Sequence, residues 1–291
     1  MQSMGARSLG RSAVRMKLAY TIVTPEVTRM PMAWIGDHAT ILPALAKMGY
    51  DGVELQTRDP AAYDAAAFEK KVKDAGLAIC AVSTGVIGET DNMYFMSPEP
   101  EKRKAAIERY KSIIDLAARY GVDSSIGRFR GQAKWAPDRK TGIGWFRAAL
   151  EELLPYAERQ GVTIVLEPQH VYNLDTLNTL AETVEFIKSF NTKNLTFEAD
   201  IHHQGLVEKS IPAALAFGML SGYMTFVQVS DANRLPPGLG IFNWVDVFET
   251  LHAVGYDGWI SVECKQFPDG ERCARYCHGF LRNVMSLPTL P

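Results

Sequence analysis

The chain has 291 residues, of which 47% are hydrophobic, and a formal net charge of −2. This length accommodates one α/β barrel or two average domains, and the hydrophobic fraction is enough to fill a sizeable core. The near-neutral charge argues against a nucleic-acid or anionic-membrane partner, because phosphate binding relies on clustered Lys and Arg. No apolar run approaches the length of a bilayer span. The composition therefore predicts a soluble globular protein.

Residues 1–16 differ from the rest of the chain. They contain Arg7, Arg11 and Arg15 without an acidic residue or an apolar segment, which argues against a secretory signal. We interpret them as a frayed extension or as the result of a start site assigned too early, with a transit peptide as the alternative. The four cysteines form no paired CxxC units, so reduced thiols in a cytoplasmic protein are expected.

From residue 17 onward, a short β-rich run, a polar loop and an amphipathic helix alternate eight times. The predicted strands are 17–23, 51–57, 77–84, 122–128, 162–167, 195–200, 223–230 and 258–264. The predicted helices are 37–48, 64–75, 101–120, 144–160, 179–190, 211–220, 243–254 and 270–285. Such alternation implies parallel strands joined by helical crossovers. We predict a single-domain (β/α)₈ TIM barrel over residues 17–291; a doubly wound open sheet, the alternative, has no reason to stop at eight units.

Polar residues follow the last four predicted strands. They are Glu167, Asp200, Gln228 and Glu263, one from each strand. The carboxyl ends of barrel strands meet at one mouth, so these side chains are expected to converge. Converging buried carboxylates repel one another, and a divalent cation relieves the repulsion. Oxygen ligands favour Mn²⁺ or Mg²⁺ over Zn²⁺; the alternative is ion pairing with Arg128, Arg130 or Lys265.

Several short motifs in strand order resemble the xylose-isomerase-like TIM-barrel superfamily, and within it the ketose 3-epimerases and keto-sugar-acid epimerases. The motifs are Leu166-Glu167-Pro168, Asp200-x-x-His203, Ser230-Asp231-Ala232-Asn233-Arg234 with Pro237-Gly238-x-Gly240, Val262-Glu263, Ser83-Thr84-Gly85, and Ile126-Gly127-x-x-Arg130-Gly131. Each motif is weak alone, whereas their order and placement together are specific. The similarity covers the chain from Lys17 to its end.

The resemblance implies a role for each matched residue. Glu167, Asp200, Gln228 and Glu263 would hold one divalent cation, Mn²⁺ by expectation with Mg²⁺ or Co²⁺ as alternatives. The two glutamates would also act as the acid and base. His203 and Arg234 would bind the substrate hydroxyls, and His202, Glu54 and Trp135 complete the expected substrate contacts. Trp135 lies in 128–141, which with 85–100 is one of two long loops expected at the barrel mouth.

Two departures from the family pattern bear on the activity. Gln228 stands where the family has a metal-binding histidine. The segment after Glu167-Pro168, usually Asn-Arg-Tyr-Glu, is His170-Val171-Tyr172-Asn173 here, so a substrate-facing Arg and Glu are lost.

The function implied is metal-dependent epimerisation of a ketose or keto-sugar by proton abstraction α to a carbonyl. One alternative is a lyase of the same superfamily, similar to inosose dehydratase or to the large subunit of a C-glycoside deglycosidase, which would have a small second subunit. Another is a non-catalytic sugar-binding protein. An endonuclease of the superfamily is disfavoured, because it needs several zinc-binding histidines and a basic face. The resemblance also suggests a homodimer or homotetramer.

Overall fold

The computed structural model describes residues 16–287; all of the predicted extension 1–16 except Met16 lies outside them. The eight strands are β1 Lys17–Val23, β2 Gly52–Gln56, β3 Ala78–Ser83, β4 Asp123–Ile126, β5 Ile164–Leu166, β6 Leu195–Asp200, β7 Met224–Val229 and β8 Trp259–Val262. The helices are α1 His38–Met48, α2 Ala65–Asp74, α3 Ile87–Asp91, α4 Pro100–Tyr120, α5 Arg139–Gln160, α6 Leu180–Lys188, α7 Ile201–Val207, α8 Ile211–Leu220, α9 Trp244–Ala253 and α10 Gly270–Met285.

The strands form a closed barrel in sequence order, and each pairs in parallel with its neighbours. The barrel closes where β1 pairs with β8, with Tyr20 beside Val262. Eight parallel strands separated by helices are the architecture of a TIM barrel. The predicted fold class is therefore confirmed. Within residues 16–287 no helix is both long and apolar enough to cross a lipid bilayer.

Local chemistry sets where the helices begin and end, as α5 illustrates. The Asp138 side chain accepts a hydrogen bond from the Thr141 backbone N–H and caps the helix, so α5 begins five residues earlier than predicted. The helix ends at Gly161, whose φ of 70° lies in the left-handed region that glycine adopts without steric cost. Aspartate side chains likewise cap the N-termini of α1, at Asp37, and of α10, at Asp269.

Two helices were missed by the sequence analysis. α3 lies within the predicted loop 85–100, and α7 begins directly after Asp200. Both are short, so their hydrophobic periodicity is too brief to recognise. The Asp200 side chain accepts a hydrogen bond from the His202 N–H at 2.9 Å and thereby caps α7. Asp200 is thus both the last residue of β6 and the N-cap of α7.

The barrel interior has a polar layer beneath its mouth. Thr21, Glu54, Ser83, Gln228 and Ser261 are all buried there, each on a different strand. Bulky branched aliphatic side chains usually fill this space in a TIM barrel. Buried polar groups need hydrogen-bond partners. These five side chains therefore form one hydrogen-bond network beneath the mouth of the barrel.

Candidate active site

The four predicted metal ligands converge at the carboxyl end of the barrel. Asp200 ends β6 and is directly opposite Gln228 in the pairing register with β7. Gln228 is in turn opposite Ser261, two residues before Glu263. Glu167 follows the last residue of β5. The four residues therefore lie at or near the carboxyl ends of four adjacent strands.

A cavity of about 250 Å³ opens above these residues. Glu167, Gln228 and Glu263 line it, together with His202 and Arg234. Asp200 and His203 lie behind this lining, and neither side chain is exposed. A cavity with a few convergent polar groups is typical of sites for small molecules.

The Arg234 guanidinium lies in the middle of the carboxylates. Its Nη1 is 2.7 Å from Asp200 Oδ2 and 3.1 Å from Glu263 Oε2. Burial opposes the guanidinium charge, but the neighbouring Asp200 and Glu263 carboxylates raise the pKa of Arg234 above its ordinary value. Arg234 itself has a φ of 62°, an uncommon backbone conformation for a non-glycine residue. Arg234 is thus held as a positively charged group at the centre of the site.

The predicted histidines lie on the β5 and β6 side of the cavity. His203 Nε2 is 3.2 Å from Glu167 Oε1 and 2.7 Å from Arg234 Nη2. Burial and the nearby Arg234 charge lower the pKa of His203 well below its ordinary value. Burial likewise lowers the pKa of His202 to about 4. His202 Nδ1 lies 3.0 Å from the Asp231 carbonyl oxygen, which a neutral ring satisfies by donating from Nδ1. Both imidazoles are therefore neutral near pH 7.

Each of the two candidate acid–base glutamates is held by a glutamine. Gln56 donates from Nε2 to Glu263 Oε1 at 3.1 Å, and Gln169 donates from Nε2 to Glu167 Oε2. Burial raises the pKa of both carboxyl groups, most strongly at Glu263, although Arg234 lowers both. Raised carboxyl pKa values suit groups that exchange protons near neutral pH. The sequence analysis named neither glutamine.

A signal for these glutamines was present in the sequence. Successive side chains alternate sides along an extended segment, so residues two apart face the same way. Gln56 follows Glu54 by two positions in β2, and Gln169 follows Glu167 by two positions. This spacing, read together with the ends of the strands, identifies both amides as candidates for the site.

Arg130 fixes the segment that contains Glu167. Its side chain is fully buried and donates to the carbonyl oxygens of Glu167 at 2.7 Å and Thr176 at 2.9 Å. It also donates to those of Gly127 and Leu177. Burial lowers the pKa of Arg130 to about 10, which still leaves it protonated. Arg130 thus joins the loops that follow β4 and β5.

Three of the predicted substrate contacts, His203, Glu54 and Trp135, lie outside the cavity lining. Glu54 is fully buried beneath the cavity floor, where it accepts a hydrogen bond from Gln228 Nε2 at 2.7 Å. Trp135 packs edge-on against Tyr94, with ring centroids 4.9 Å apart, and its exposed fraction is 38%. Residues that were not predicted from the sequence, including Met30, Pro31 and Met32, line the cavity instead.

Comparison with known proteins places this chain in a family. The model of the xylose isomerase-like TIM barrel family matches residues 42–283. The chain belongs to the xylose isomerase-like TIM-barrel family. It is 26% identical over 241 residues to D-psicose 3-epimerase of Ruminiclostridium cellulolyticum, covering 79% of each chain. It is 28% identical over 220 residues to L-ribulose 3-epimerase of Mesorhizobium japonicum, covering 74% of this chain and 71% of that one.

A solved structure in the same family has the same fold. The 3-keto-D-glucoside 4-epimerase of E. coli, in its apo form, superposes with a TM-score of 0.76 at 20% sequence identity. The superposition covers 92% of this chain and 100% of that chain. The chain therefore shares the fold of that enzyme.

The residues present fit the divalent cation that the family resemblance implies. Glu167, Asp200 and Glu263 offer carboxylate oxygens, and Gln228 offers an amide oxygen. Gln228 Oε1 is buried and has no hydrogen-bond partner among the described residues. A buried polar atom without a partner is costly unless something else satisfies it. A hard cation coordinated by oxygen would do so.

Proposed function

We propose that the chain is a divalent-metal-dependent epimerase of ketoses or keto-sugars. The observation that supports this most directly is the placement of Glu167 and Glu263. They follow β5 and β8, with β6 and β7 between them, and both line one cavity. Two carboxyl groups reaching a reacting carbon from separate strands can remove a proton from one face and return one to the other.

Each residue of the site has a separate role in the proposed reaction. One glutamate takes the proton from the carbon beside the carbonyl, and the other delivers a proton to the opposite face. Gln56 and Gln169 hold the two carboxylates in position through the hydrogen bonds described above. Arg234 and neutral His202, which line the cavity, hydrogen-bond the substrate oxygens. The cation, when bound, would stabilise the negative charge that develops on the carbonyl oxygen. We propose Mn²⁺ for this role, with Mg²⁺ or Co²⁺ as alternatives.

The charges around the cavity favour an uncharged substrate. Among the lining residues the two cations are Arg128 and Arg234, and each is paired with carboxylates. Arg128 Nη1 lies 2.5 Å from Glu89 Oε1, and Arg234 pairs with Asp200 and Glu263. A phosphate or carboxylate on the substrate would find no unpaired cation here. We therefore expect a free ketose or a keto-glycoside rather than a sugar phosphate.

A lyase is the second candidate, and the histidines favour it. His170 and His202 both line the cavity beside Glu167, with ring centroids 5.3 Å apart. His170 Nδ1 is buried without a hydrogen-bond partner among the described residues. These imidazoles could bind the group that a lyase eliminates from the sugar. In an epimerase that group stays attached. The proton abstraction would be the same in both reactions.

Proton exchange in D₂O tests the proposal. The Mn²⁺-loaded protein is incubated with free ketoses, keto-sugar acids and 3-keto-glycosides and followed by NMR. We expect deuterium to enter at one carbon as a new epimer forms, and both Glu167→Gln and Glu263→Gln to abolish exchange. Glu158→Gln, at an exposed position on α5, is the control. Exchange with an eliminated product would identify a lyase; no exchange and no bound metal would leave a sugar-binding protein.

We also propose a cytoplasmic location, because all four cysteines are free thiols and such thiols suit a reducing compartment. The proposal of a homo-oligomer rests on the family resemblance alone.

A further inference from the structure

The amide of Gln228 is held by a single strong contact. Gln228 Nε2 donates to Glu54 Oε1 at 2.7 Å, from β7 across the barrel interior to β2. Both residues are buried, with exposed fractions of 2% and 0%. The other end of the amide, Oε1, has no hydrogen-bond partner among the described residues. The amide is therefore fixed at its nitrogen and open at its oxygen.

Glu54 is itself held by hydroxyl groups of the neighbouring strands. Thr21 Oγ1, in β1, donates to Glu54 Oε2 at 3.2 Å. Ser83 Oγ, in β3, donates to Glu54 Oε1, the oxygen that also accepts from Gln228. A carboxylate that receives donors at both oxygens has little freedom to rotate. The orientation of Glu54 is thus set by three strands before any ligand arrives.

This arrangement determines which end of the Gln228 amide faces the carboxylates. If the amide were turned over, its oxygen would lie where the nitrogen is now, against an acceptor oxygen of Glu54 at 2.7 Å. Two acceptors at that distance repel. The amide N–H₂, which repels cations, would then point into the site. The contact with Glu54 therefore presents the amide oxygen to the site.

We propose that Glu54 is a positioning residue that makes Gln228 an oxygen ligand and thereby selects a hard cation. The proposal rests on the metal site proposed above. An imidazole at this position would supply nitrogen, which suits Zn²⁺, Co²⁺ or Ni²⁺, whereas an amide oxygen suits Mn²⁺ and Mg²⁺. Replacement of the family histidine by Gln228 therefore requires a partner that orients the amide, and Glu54 meets that requirement.

A second residue of β2, Gln56, also orients a candidate ligand of the cation. Gln56 accepts from the Gly85 N–H at 3.0 Å through Oε1 and donates from Nε2 to Glu263. β2 thus supplies two inward side chains, two positions apart, each of which orients one candidate ligand of the cation. Mutation of a residue that hydrogen-bonds a metal ligand typically costs about 10- to 100-fold in metal affinity.

The test measures metal binding rather than activity. Metal-stripped wild-type protein and Glu54→Gln are titrated with Mn²⁺, and free Mn²⁺ is followed by EPR. We expect the Kd of Glu54→Gln for Mn²⁺ to rise by about 10- to 100-fold. Glu158→Gln is the matched control, because it makes the same substitution at an exposed position on α5, away from the site. It is expected to leave Mn²⁺ affinity nearly unchanged, and circular dichroism verifies that both variants are folded.

A double-mutant cycle separates positioning from a general effect of lost charge. Gln228→His is expected to improve binding of Co²⁺ relative to Mn²⁺. In the Gln228→His background, Glu54→Gln should weaken Mn²⁺ binding less than it does in the wild-type background. The difference between the two losses is the coupling between positions 54 and 228.

The outcomes also distinguish this inference from the proposed function. If wild type binds Mn²⁺ but Glu54→Gln binds it as tightly as Glu158→Gln does, Glu54 has no positioning role and the metal site stands. Equal losses in both backgrounds would likewise reject positioning. Wild-type protein that binds no divalent cation would overturn the metal site and the role of Glu54 together.

Discussion

Arg234 Nη1 lies 2.7 Å from Asp200 Oδ2, so a guanidinium neutralises part of the carboxylate cluster before any cation binds. This contact explains how Glu167, Asp200 and Glu263 can share a buried site without unfolding it. Buried like charges destabilise a protein unless a counter-charge is present. Arg234 supplies that counter-charge from the segment after β7.

Replacing Arg234 should therefore make the protein depend on added metal for stability. In EDTA, Arg234→Gln is expected to lose about 3–5 kcal/mol of unfolding free energy, because a buried ion pair loses one partner. Mn²⁺ should restore more stability to the variant than it adds to wild type. Urea unfolding with and without Mn²⁺ measures both effects. Arg272→Gln, at an exposed position, is the control; an equal response to Mn²⁺ in wild type and Arg234→Gln would contradict this account.

The buried guanidinium of Arg130 should be irreplaceable by lysine. Lysine has a single ammonium group and cannot reach the carbonyl oxygens of Gly127, Glu167, Thr176 and Leu177 at once. We expect Arg130→Lys to lose about 2–3 kcal/mol of unfolding free energy and to slow proton exchange, because Glu167 is no longer held. Arg139→Lys changes an exposed contact with the same loop, at the Asp175 carbonyl oxygen, and should do neither. Wild-type-like exchange in Arg130→Lys would show that Glu167 is positioned by other contacts.

The fold could be predicted from the sequence because its determinants are local. Alternation of β-rich runs with capped helices identified all eight strands, and β1, β6, α8 and α10 begin and end at the predicted residues. The shorter extent of β5, Ile164–Leu166, has a tertiary cause that periodicity does not contain. Pairing with β4 and β6 ends where the chain turns at Glu167-Pro168.

The site could be predicted only in part, because strand position identifies residues but not their contacts. Residues at the ends of late strands were identifiable, whereas Gln56 and Arg130 act through partners that are distant in sequence. Gln56 and Glu263 lie 207 positions apart, and the sequence alone does not specify which amide hydrogen-bonds which carboxylate. The pairing of Glu54 with Gln228 spans 174 positions. Contacts of this kind depend on side-chain rotamers in the closed barrel.

The segment after β7 should be sensitive to acid through Asp231. Its carboxylate accepts from Trp244 Nε1 at 2.8 Å and from the backbone N–H groups of Gly238 and Ile241. Although burial opposes the charge, these donors lower the pKa of Asp231 below its ordinary value of 3.8. The stabilisation from a lowered carboxyl pKa is present above the unfolded-state pKa and is lost as pH falls through the folded-state pKa.

Asp231→Asn should therefore lose about 2 kcal/mol of unfolding free energy at pH 7, because an amide nitrogen must face one of these donors. The difference from wild type should persist down to pH 5 and shrink below the ordinary pKa of 3.8. Urea unfolding across this pH range measures it, with exposed Asp257→Asn as the control. A difference that does not depend on pH would mean that packing, rather than the carboxylate, stabilises the segment.

Gly127 should be required for the placement of Glu167. A Cβ at this position would lie 2.0 Å from Glu167 Oε2 and 2.8 Å from Gln169 Nε2, so the carboxylate would have to move. Displacement of a reacting group by about 1 Å can cost about 100-fold in rate. We expect Gly127→Ala to lose that much proton exchange while remaining folded. Gly144→Ala is the matched control, because a Cβ there meets no atom within 4 Å and Gly144 lies inside α5.

The control should keep full activity and gain about 1 kcal/mol of unfolding free energy from the higher helix propensity of alanine. Comparison of Gly127→Ala with Gly144→Ala thus separates a steric effect on the Glu167 carboxylate from a general effect of replacing glycine. Full exchange activity in Gly127→Ala would show that Glu167 reaches the substrate from another position. In that event the proposed acid–base pair would need a partner for Glu263 other than Glu167.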